Sequence, residues 1–147
     1  MSTVRELLEA KGREAWSISP RSLVFEALQM MAEKDVGALL VLEEGQVVGV
    51  FSERDYARKV VLEGKSSKTV PVSDLMTKRI IFVGPEETID TCMKLMTAKR
   101  IRHLPVLDDG RLIGLVSVGD VVKRIISDQE FTIQELEKYI TGSGYGA

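Results

Sequence analysis

The sequence predicts an α/β protein (α+β) made of two tandem β-α-β-β-α repeats, with a short helix at each end. The main observation is an internal duplication. Shifted by 65 residues without a gap, Pro20 falls on Pro85, Gly45 on Gly110 and Asp55 on Asp120. In both copies, apolar stretches with helical periodicity alternate with short apolar runs typical of strands. A repeat of this length indicates two copies of one small fold rather than a short solenoid unit. One copy buries little surface, so we expect both to form one cooperative core.

The composition is that of a globular protein. The 147 residues are 44% hydrophobic and 29% charged, and the net charge of −2 argues weakly against non-specific nucleic-acid binding. No apolar run approaches the roughly 20 residues that span a bilayer, and the N-terminal stretch lacks the apolar core of a secretory signal. The single cysteine, Cys92, cannot form an internal disulfide. We therefore expect a cytoplasmic protein without membrane association.

The chain divides into five predicted segments. They are an N-terminal helix in residues 1–14, a first repeat in 15–63, a linker in 64–79, a second repeat in 80–127, and a C-terminal helix with a tail in 128–147. Ser2 or Thr3 can cap the N-terminal helix, and Gly12 can end it. The polar run from Gly64 to Lys68 makes the boundary between the repeats.

Local patterns predict each element of the first repeat. In order, they indicate a strand at 15–18, a helix at 23–32, a strand at 38–42, a turn at 43–46, a strand at 47–51 and a helix from 52 to about 63. Ser19-Pro20 stops the first strand. The continuous apolar run Ala38 to Leu42 is typical of a strand covered on both faces. The turn contains Gly45, as a hairpin connection requires.

The second repeat follows the same order after one predicted helical turn at 72–76. Its elements are a strand at 80–83, a helix at 88–99, a strand at 103–107, a turn at 108–111, a strand at 112–116 and a helix from 117 to about 127. A last helix, predicted at 132–141, carries Ile133, Leu136 and Ile140 on one face. We expect the tail GSGYGA to be frayed.

Both repeats carry the pattern Gly-x-x-Ser-x-x-Asp. Its members are Gly49, Ser52 and Asp55 in the first copy, and Gly114, Ser117 and Asp120 in the second. One interpretation is a capping box, in which the serine caps a helix and the acidic residue caps in return. The other adds a ligand, because a helix N-terminus attracts an anion and a carboxylate beside it can accept both hydroxyls of a ribose. The motif alone leaves both interpretations open.

The wider context resembles the CBS-domain family. The resemblance rests on the tandem arrangement, the Gly-x-x-Ser-x-x-Asp ends, Arg-His-Leu-Pro-Val at residues 102–106, Met-Thr at 76–77 and Val-Gly-Ala-Leu-Leu-Val at 36–41. It covers about residues 15–127, and the match looks like the stand-alone bacterial proteins that consist of one CBS pair, or Bateman module. It implies a regulatory, non-enzymatic protein with two clefts, commonly a homodimer of CBS pairs. Its ligands would be adenosine derivatives such as AMP, ADP, ATP, NAD(H) or S-adenosylmethionine, with AMP the first candidate.

The resemblance also implies the site residues. Asp55 and Asp120 would hold ribose, the serines would touch ribose or phosphate, and adenine would lie between the first two strands of each repeat. In the second repeat the implied ligand-binding residues are Thr77, Ile80, Ile81, Phe82, Ile101, Arg102, His103, Leu104, Pro105, Ser117 and Asp120. In the first repeat they are Trp16, Ser17, Ile18, Val36, Gly37, Ala38, Leu39, Ser52, Arg54 and Asp55.

The two copies differ where phosphates would sit. The second has Arg102-His103 where the first has Gly37-Ala38, and the first has Arg54 where the second has Gly119. We therefore expect two sites of common origin and unequal affinity, with the stronger one in the second repeat.

The residue inventory gives no support for catalysis. With one histidine and one cysteine, neither a metal centre nor a paired nucleophile and base is expected. His103 can equally be a packed or exposed residue, and Trp16 can be a rim residue rather than an adenine platform. The alternatives to an adenine-nucleotide sensor are a ligand-free dimerisation or interaction module, an S-adenosylmethionine binder and a nucleotide-hydrolysing enzyme. A weaker alternative is nucleic-acid binding through lysines and arginines of the second helix of each repeat. The downstream partner is an unknown protein.

Overall fold

The computed structural model describes residues 2–64 and 66–140. The chain forms two compact units, and each is described by itself. The first-repeat unit is Glu14–Phe82, and the second-repeat unit consists of residues 2–13 with 83–140. The N-terminal helix therefore belongs to the unit of the second repeat. No described helix combines the length and the apolar character needed to cross a membrane.

The predicted α+β architecture is confirmed. The helices are α1 (Val4–Lys11), α2 (Val24–Lys34), α3 (Glu53–Asp55), which continues as a π-helical segment (Tyr56–Val61), α4 (Val72–Leu75), α5 (Ile89–Lys99) and α6 (Val118–Lys138). The strands are β1 (Ser17–Ile18), β2 (Ala38–Glu43), β3 (Gln46–Ser52), β4 (His103–Asp108) and β5 (Arg111–Ser117). The strand β1 is shorter than the predicted strand at 15–18.

A three-stranded sheet covered by α2 organises the first-repeat unit. The strand β1 pairs in parallel with β2, and β2 pairs antiparallel with β3. The core consists of Ile18, Val24, Ala27, Met31, Leu39, Val41, Phe51, Val60, Val72 and Leu75. Residues Ala38 to Val41 of the apolar run in β2 are buried, as the sequence predicted, and Leu42 is half-buried.

Both hairpins close with the predicted glycine. Glu44 and Gly45 have φ of 51° and 79°, and Asp109 and Gly110 have φ of 53° and 79°. Two consecutive positive φ values match the tight turn that connects twisted antiparallel strands, and glycine adopts the second of them without strain.

Backbone hydrogen bonds fix α1 in the second-repeat unit. The N–H groups of Val4 and Arg5 donate to the carbonyls of Glu87 and Pro85, each at 2.8 Å. The side chain of Leu8 is 1% exposed and lies against Gly114, where an added Cβ would be 2.8 Å from a Leu8 methyl. An added Cβ at this position would require the Leu8 side chain to shift, so glycine favours the close contact of α1 with β5.

The predicted strand at 80–83 is wrong. Within the described residues, only Val83 of this segment pairs, forming a single parallel bridge with Val106. In the first repeat, the N–H of Leu40 donates to the carbonyl of Trp16 at 3.0 Å and so extends the pairing. Pro105 occupies the position of Leu40 in the second repeat, and a proline has no N–H to donate.

The predicted break between two C-terminal helices is also wrong, because α6 is continuous from Val118 to Lys138. No glycine or proline interrupts residues 127–132. The hydroxyl of Thr132 donates to the carbonyl of Asp128 at 3.0 Å, so this threonine bonds back into the helix instead of capping a new one. The predicted end at Thr141 and the tail GSGYGA lie outside the described residues.

Candidate functional site

The Gly-x-x-Ser-x-x-Asp pattern forms a complete capping box in both units. The Ser52 N–H donates to Asp55 Oδ2 at 3.0 Å, and the Asp55 N–H donates to Ser52 Oγ at 3.2 Å. The same two bonds join Ser117 and Asp120 at 2.9 and 3.1 Å. The capping interpretation is therefore confirmed, and the duplicated motif places one carboxylate at the same point of each repeat.

The first N–H of each helix after the motif already has an acceptor. The Glu53 N–H donates to the Gly37 carbonyl at 3.1 Å, and the Val118 N–H donates to the Arg102 carbonyl at 2.9 Å. Together with the capping box, these bonds use several of the donors that a helix start would offer to an anion. A phosphate near these helices would thus depend more on cationic side chains than the sequence suggested.

Asp55 has partners for both carboxylate oxygens. Besides its bonds to Ser52, its Oδ1 accepts a hydrogen bond from the Thr77 hydroxyl at 3.4 Å and lies 3.3 Å from Lys59 Nζ. Lys59 also donates to the Leu75 carbonyl at 2.9 Å. The structure therefore places Thr77 beside the aspartate of the first repeat, whereas the sequence had assigned it to the second.

Asp120 is ion-paired with Lys11, at the end of α1. Lys11 Nζ also donates to the Leu115 carbonyl at 2.8 Å, so two acceptors hold this ammonium. Partial burial raises the pKa of Asp120, but the ammonium of Lys11 and the hydrogen bonds from Ser117 outweigh it and keep the pKa below its ordinary value. The carboxylate is consequently ionised at neutral pH.

Thr77 and Lys11 occupy equivalent places in the two units, beside the return strand and next to the aspartate. In the first-repeat unit, Val50 exchanges backbone hydrogen bonds with Thr77 at 3.0 and 2.9 Å, and the Thr77 hydroxyl reaches the aspartate. Val50 corresponds to Leu115, whose carbonyl accepts from the Lys11 ammonium instead. At the strand edge, therefore, a neutral hydroxyl approaches Asp55 and a cation approaches Asp120, while the cation paired with Asp55 is Lys59 of the following helical segment.

The predicted cationic residues lie near the motif with different exposure. His103 is the direct cross-strand partner of Ser117, as Ala38 is of Ser52. Arg102 is exposed, and Arg54 is half-buried next to Asp55. The substitution of Ala38 by His103 thus puts an imidazole beside the capping serine of the second unit.

Several predicted site residues have buried side chains. Leu39 and Leu104 are fully buried, and Ala38 is 4% exposed. Pro105 is also buried, while Val36 and Ile101 are half-buried. A ligand at these positions would have to contact the backbone, as the sequence interpretation supposed.

The indole ring of Trp16 already has a cationic neighbour. Lys34 Nζ lies 4.3 Å from the ring centroid, and Trp16 packs against the core of its unit. This arrangement fits a rim tryptophan with a cation–π contact. Adenine stacking there would require Lys34 to move.

The residues that the resemblance implies for the adenine slot of the second repeat are divided between the two units. Ile80, Ile81 and Phe82 lie in the first-repeat unit, and residues 101–105 lie in the other. The side chain of Phe82 is 56% exposed. The slot therefore remains a prediction from the resemblance.

Sequence reasoning missed Lys59 and Lys11. Lys59 had a detectable signal, since it follows Asp55 by four positions, the spacing of a helical ion pair. Lys11 had none, because it is 109 residues from Asp120 in the chain. Only the packing of α1 on the second repeat brings that pair together.

The described residues offer no cluster for a metal ion. Among them, no group of three or more His, Cys, Asp or Glu side chains is arranged to hold one. Cys92 is fully buried, and burial, followed by the nearby charge of Glu87, raises the pKa of its thiol to about 11. Cys92 therefore packs as a small apolar residue, as expected.

Comparison with known proteins decides the family. The sequence profile of the CBS domain matches residues 4–62 and again residues 72–127. The chain belongs to the CBS-domain family. The two matched stretches correspond to the two repeats, so the chain contains a CBS pair.

Relatives of similar size support this assignment. The CBS domain-containing protein CBSX3, mitochondrial, of Arabidopsis thaliana is 38% identical over 98% of this chain and 74% of its own length. A solved CBS-domain protein from Burkholderia ambifaria is 48% identical, with a TM-score of 0.84 over 87% of this chain and 96% of its own. The CBS domain pair of protein MJ0100, solved with 5′-methylthioadenosine and S-adenosyl-L-methionine, is 21% identical, with a TM-score of 0.75 over 88% of this chain and 98% of its own. That last likeness shows the fold alone.

Proposed function

We propose that this CBS-pair protein is a non-enzymatic sensor that binds an adenosine-containing ligand through Asp55 and Asp120. The observation that carries the proposal is the duplicated carboxylate. It stands at a helix start in both repeats, with only 13% and 23% of its side chain exposed. The MJ0100 neighbour, solved with two adenosine derivatives, supports the same ligand class.

The chemistry of ribose suits these carboxylates. An ionised carboxylate only accepts hydrogen bonds and has about four lone-pair directions. Asp120 Oδ2 already accepts from Ser117 and Lys11. In a bidentate contact one ribose hydroxyl donates to each carboxylate oxygen, and the hydroxyl on Oδ2 then takes the lone-pair direction that the Lys11 ammonium occupies. Ligand binding in the second-repeat unit therefore competes with an internal ion pair.

AMP is the proposed ligand, with ATP or NAD(H) as the alternatives. Its phosphate would face Arg102 and His103 in the second repeat and Arg54 in the first. Since the first N–H of each helix is already bonded within the chain, these side chains carry most of the phosphate recognition. The unequal cations of the two repeats would make the two affinities unequal.

The proposed output is a change in the conformation of a homodimer in the cytoplasm, read by a partner protein. A ligand shifts such an equilibrium only by its differential affinity for the two conformations. A phosphate would favour the conformation in which its charge neutralises cationic side chains such as Arg102.

A ligand-free dimerisation module is the second candidate. It is favoured by the complete capping boxes and by the internal partners of both aspartates, which account for the motif without a ligand. In that case, Lys11, Lys59 and Thr77 are permanent structural partners.

Thermal shift with AMP, ADP, ATP, NADH and S-adenosylmethionine separates the two candidates, because a ligand that binds only the folded state raises the melting temperature. Mass spectrometry of the denatured, freshly purified protein identifies any adenosine compound that copurifies. A concentration-dependent shift with at least one compound supports the sensor. No shift and no bound compound support the dimerisation module. Turnover of ATP or NADH with added magnesium would contradict the non-enzymatic assignment.

A further inference from the structure

The second half of α6 is a helix whose side chains are exposed. The helix is tied to its unit as far as Asp128, which accepts a hydrogen bond from the buried Ser2 at 2.7 Å. Arg124 donates to the same serine at 2.8 Å. From residue 129 to the end of α6 at Lys138, and through the next two residues, Tyr139 and Ile140, every side chain is exposed. A helical stretch this short is only marginally stable in water without tertiary contacts.

Its apolar residues repeat at the spacing of a coiled coil. The stripe consists of Val122, Ile126, Gln129, Ile133, Leu136 and Ile140, at alternating intervals of four and three residues. Its five apolar members are 40–57% exposed. In heptad terms, isoleucine occupies all three a positions, and Val122, Gln129 and Leu136 occupy the d positions. Isoleucine at every a position, with leucine at the d position Leu136, fits a two-stranded coiled coil.

The charges beside the stripe are compatible with a parallel pair. The e positions hold Lys123, Glu130 and Glu137, and the g positions hold Ile125, Thr132 and Tyr139. In a parallel pair each e position faces a g position of the other helix, so no like charges meet. In an antiparallel pair with the stripes aligned, Glu130 would face its own copy and Lys123 would face Glu137, but Gln129 would lie against the apolar Ile133 instead of its own copy.

A membrane surface is a poor match for this helix. Residues 128–138 carry Asp128, Glu130, Glu135 and Glu137 against the single cation Lys138. Helices that lie on anionic lipid instead concentrate lysine and arginine on their polar face.

We propose that α6 pairs in parallel with α6 of a second copy of this chain through the heptad stripe Val122 to Ile140. The polar Gln129 lies against its own copy in the middle of the stripe and fixes the register, at some expense in stability. This pairing assigns a surface to the homodimer of the proposed function and does not depend on ligand binding.

Disulfide cross-linking tests the pairing on the full-length chain with Cys92 replaced by alanine. Gln129→Cys places a thiol in the stripe, and Glu135→Cys places one on the outer face of the same exposed helix as a matched control. We expect Gln129→Cys to form covalent dimers under mild oxidation at least tenfold faster than Glu135→Cys. Adding Ile133→Asp should remove this advantage, whereas adding Lys138→Asp on the outer face should not.

Equal cross-linking rates of the two cysteine variants would overturn the proposal. So would preferential cross-linking of Gln129→Cys to Ile133→Cys in a mixture, since that pair is adjacent in the antiparallel arrangement. Sedimentation equilibrium of the unmodified chain separates the proposals. If the unmodified chain sediments as a dimer but Gln129→Cys cross-links no faster than Glu135→Cys, the homodimer stands and the α6 pairing is overturned.

Discussion

Replacing Lys11 with methionine is expected to strengthen the binding of adenosine in the second-repeat unit. Lys11 and Asp120 form an ion pair in which 32% and 23% of the side chains are exposed. Pairs with this degree of solvent contact contribute up to about 1 kcal/mol. Ribose must overcome that contribution to use Asp120, and 1 kcal/mol corresponds to roughly a fivefold change in affinity.

Adenosine is the suitable probe because it has no phosphate that could interact with Lys11 directly. Isothermal titration calorimetry should show a dissociation constant about two- to fivefold lower for Lys11→Met than for the wild type. Without ligand, the same variant should melt about 2–4 °C lower, since roughly 1 kcal/mol of pairing is lost. Lys123→Met, on the exposed surface of α6, controls for the removal of a positive charge. Unchanged or weaker adenosine binding in Lys11→Met would refute the competition.

Gly49→Ala should lower the unfolding free energy in a urea titration by about 1–3 kcal/mol, because its Cβ would lie 2.5 Å from the Met76 sulfur. Gly37→Ala, whose Cβ would meet no described atom within 4 Å, is the control, and equal losses would contradict this packing. The pKa of Asp120 is lowered in the folded protein. Its ionised form therefore stabilises the fold at pH values above the ordinary aspartate pKa of about 3.9. Asp120→Asn should therefore be less stable at neutral pH, and the difference should shrink as the pH falls below about 4; a constant difference would exclude this linkage. Cys92, with a thiol pKa of about 11, should react with a thiol reagent at pH 8 only as fast as the protein unfolds, and rapid labelling of the native protein would contradict its burial.

The duplication made most of the fold predictable. Identical residues at Gly45 and Gly110 marked both hairpin turns, and Ser52 and Ser117 marked the helix starts that follow the return strands. The exceptions have local causes. Pro105 removes the N–H that would extend the strand at 80–83, and this signal was visible in the sequence. The continuity of α6 depends on whether Thr132 caps a new helix or bonds back to Asp128, and both patterns look alike in sequence.

The candidate site was predictable only in part. The motif identified both aspartates and their capping serines, because those contacts span three residues. It could not identify Lys11, which lies close to Asp120 because α1, through Leu8, packs against Gly114 of β5. Thr77 lies beside Asp55 where Lys11 lies beside Asp120. This difference arises from tertiary packing, because the local sequences around the two aspartates are alike.

The most direct test of ligand recognition is a calorimetric titration of AMP into the wild-type protein and into Asp120→Ala. The substitution removes a charge-assisted contact with ribose, which is typically worth about 1.5–3 kcal/mol. We expect AMP to bind the wild type and to bind Asp120→Ala more than tenfold more weakly. Wild-type affinity in the Asp120→Ala variant would contradict the assignment of this carboxylate to ribose.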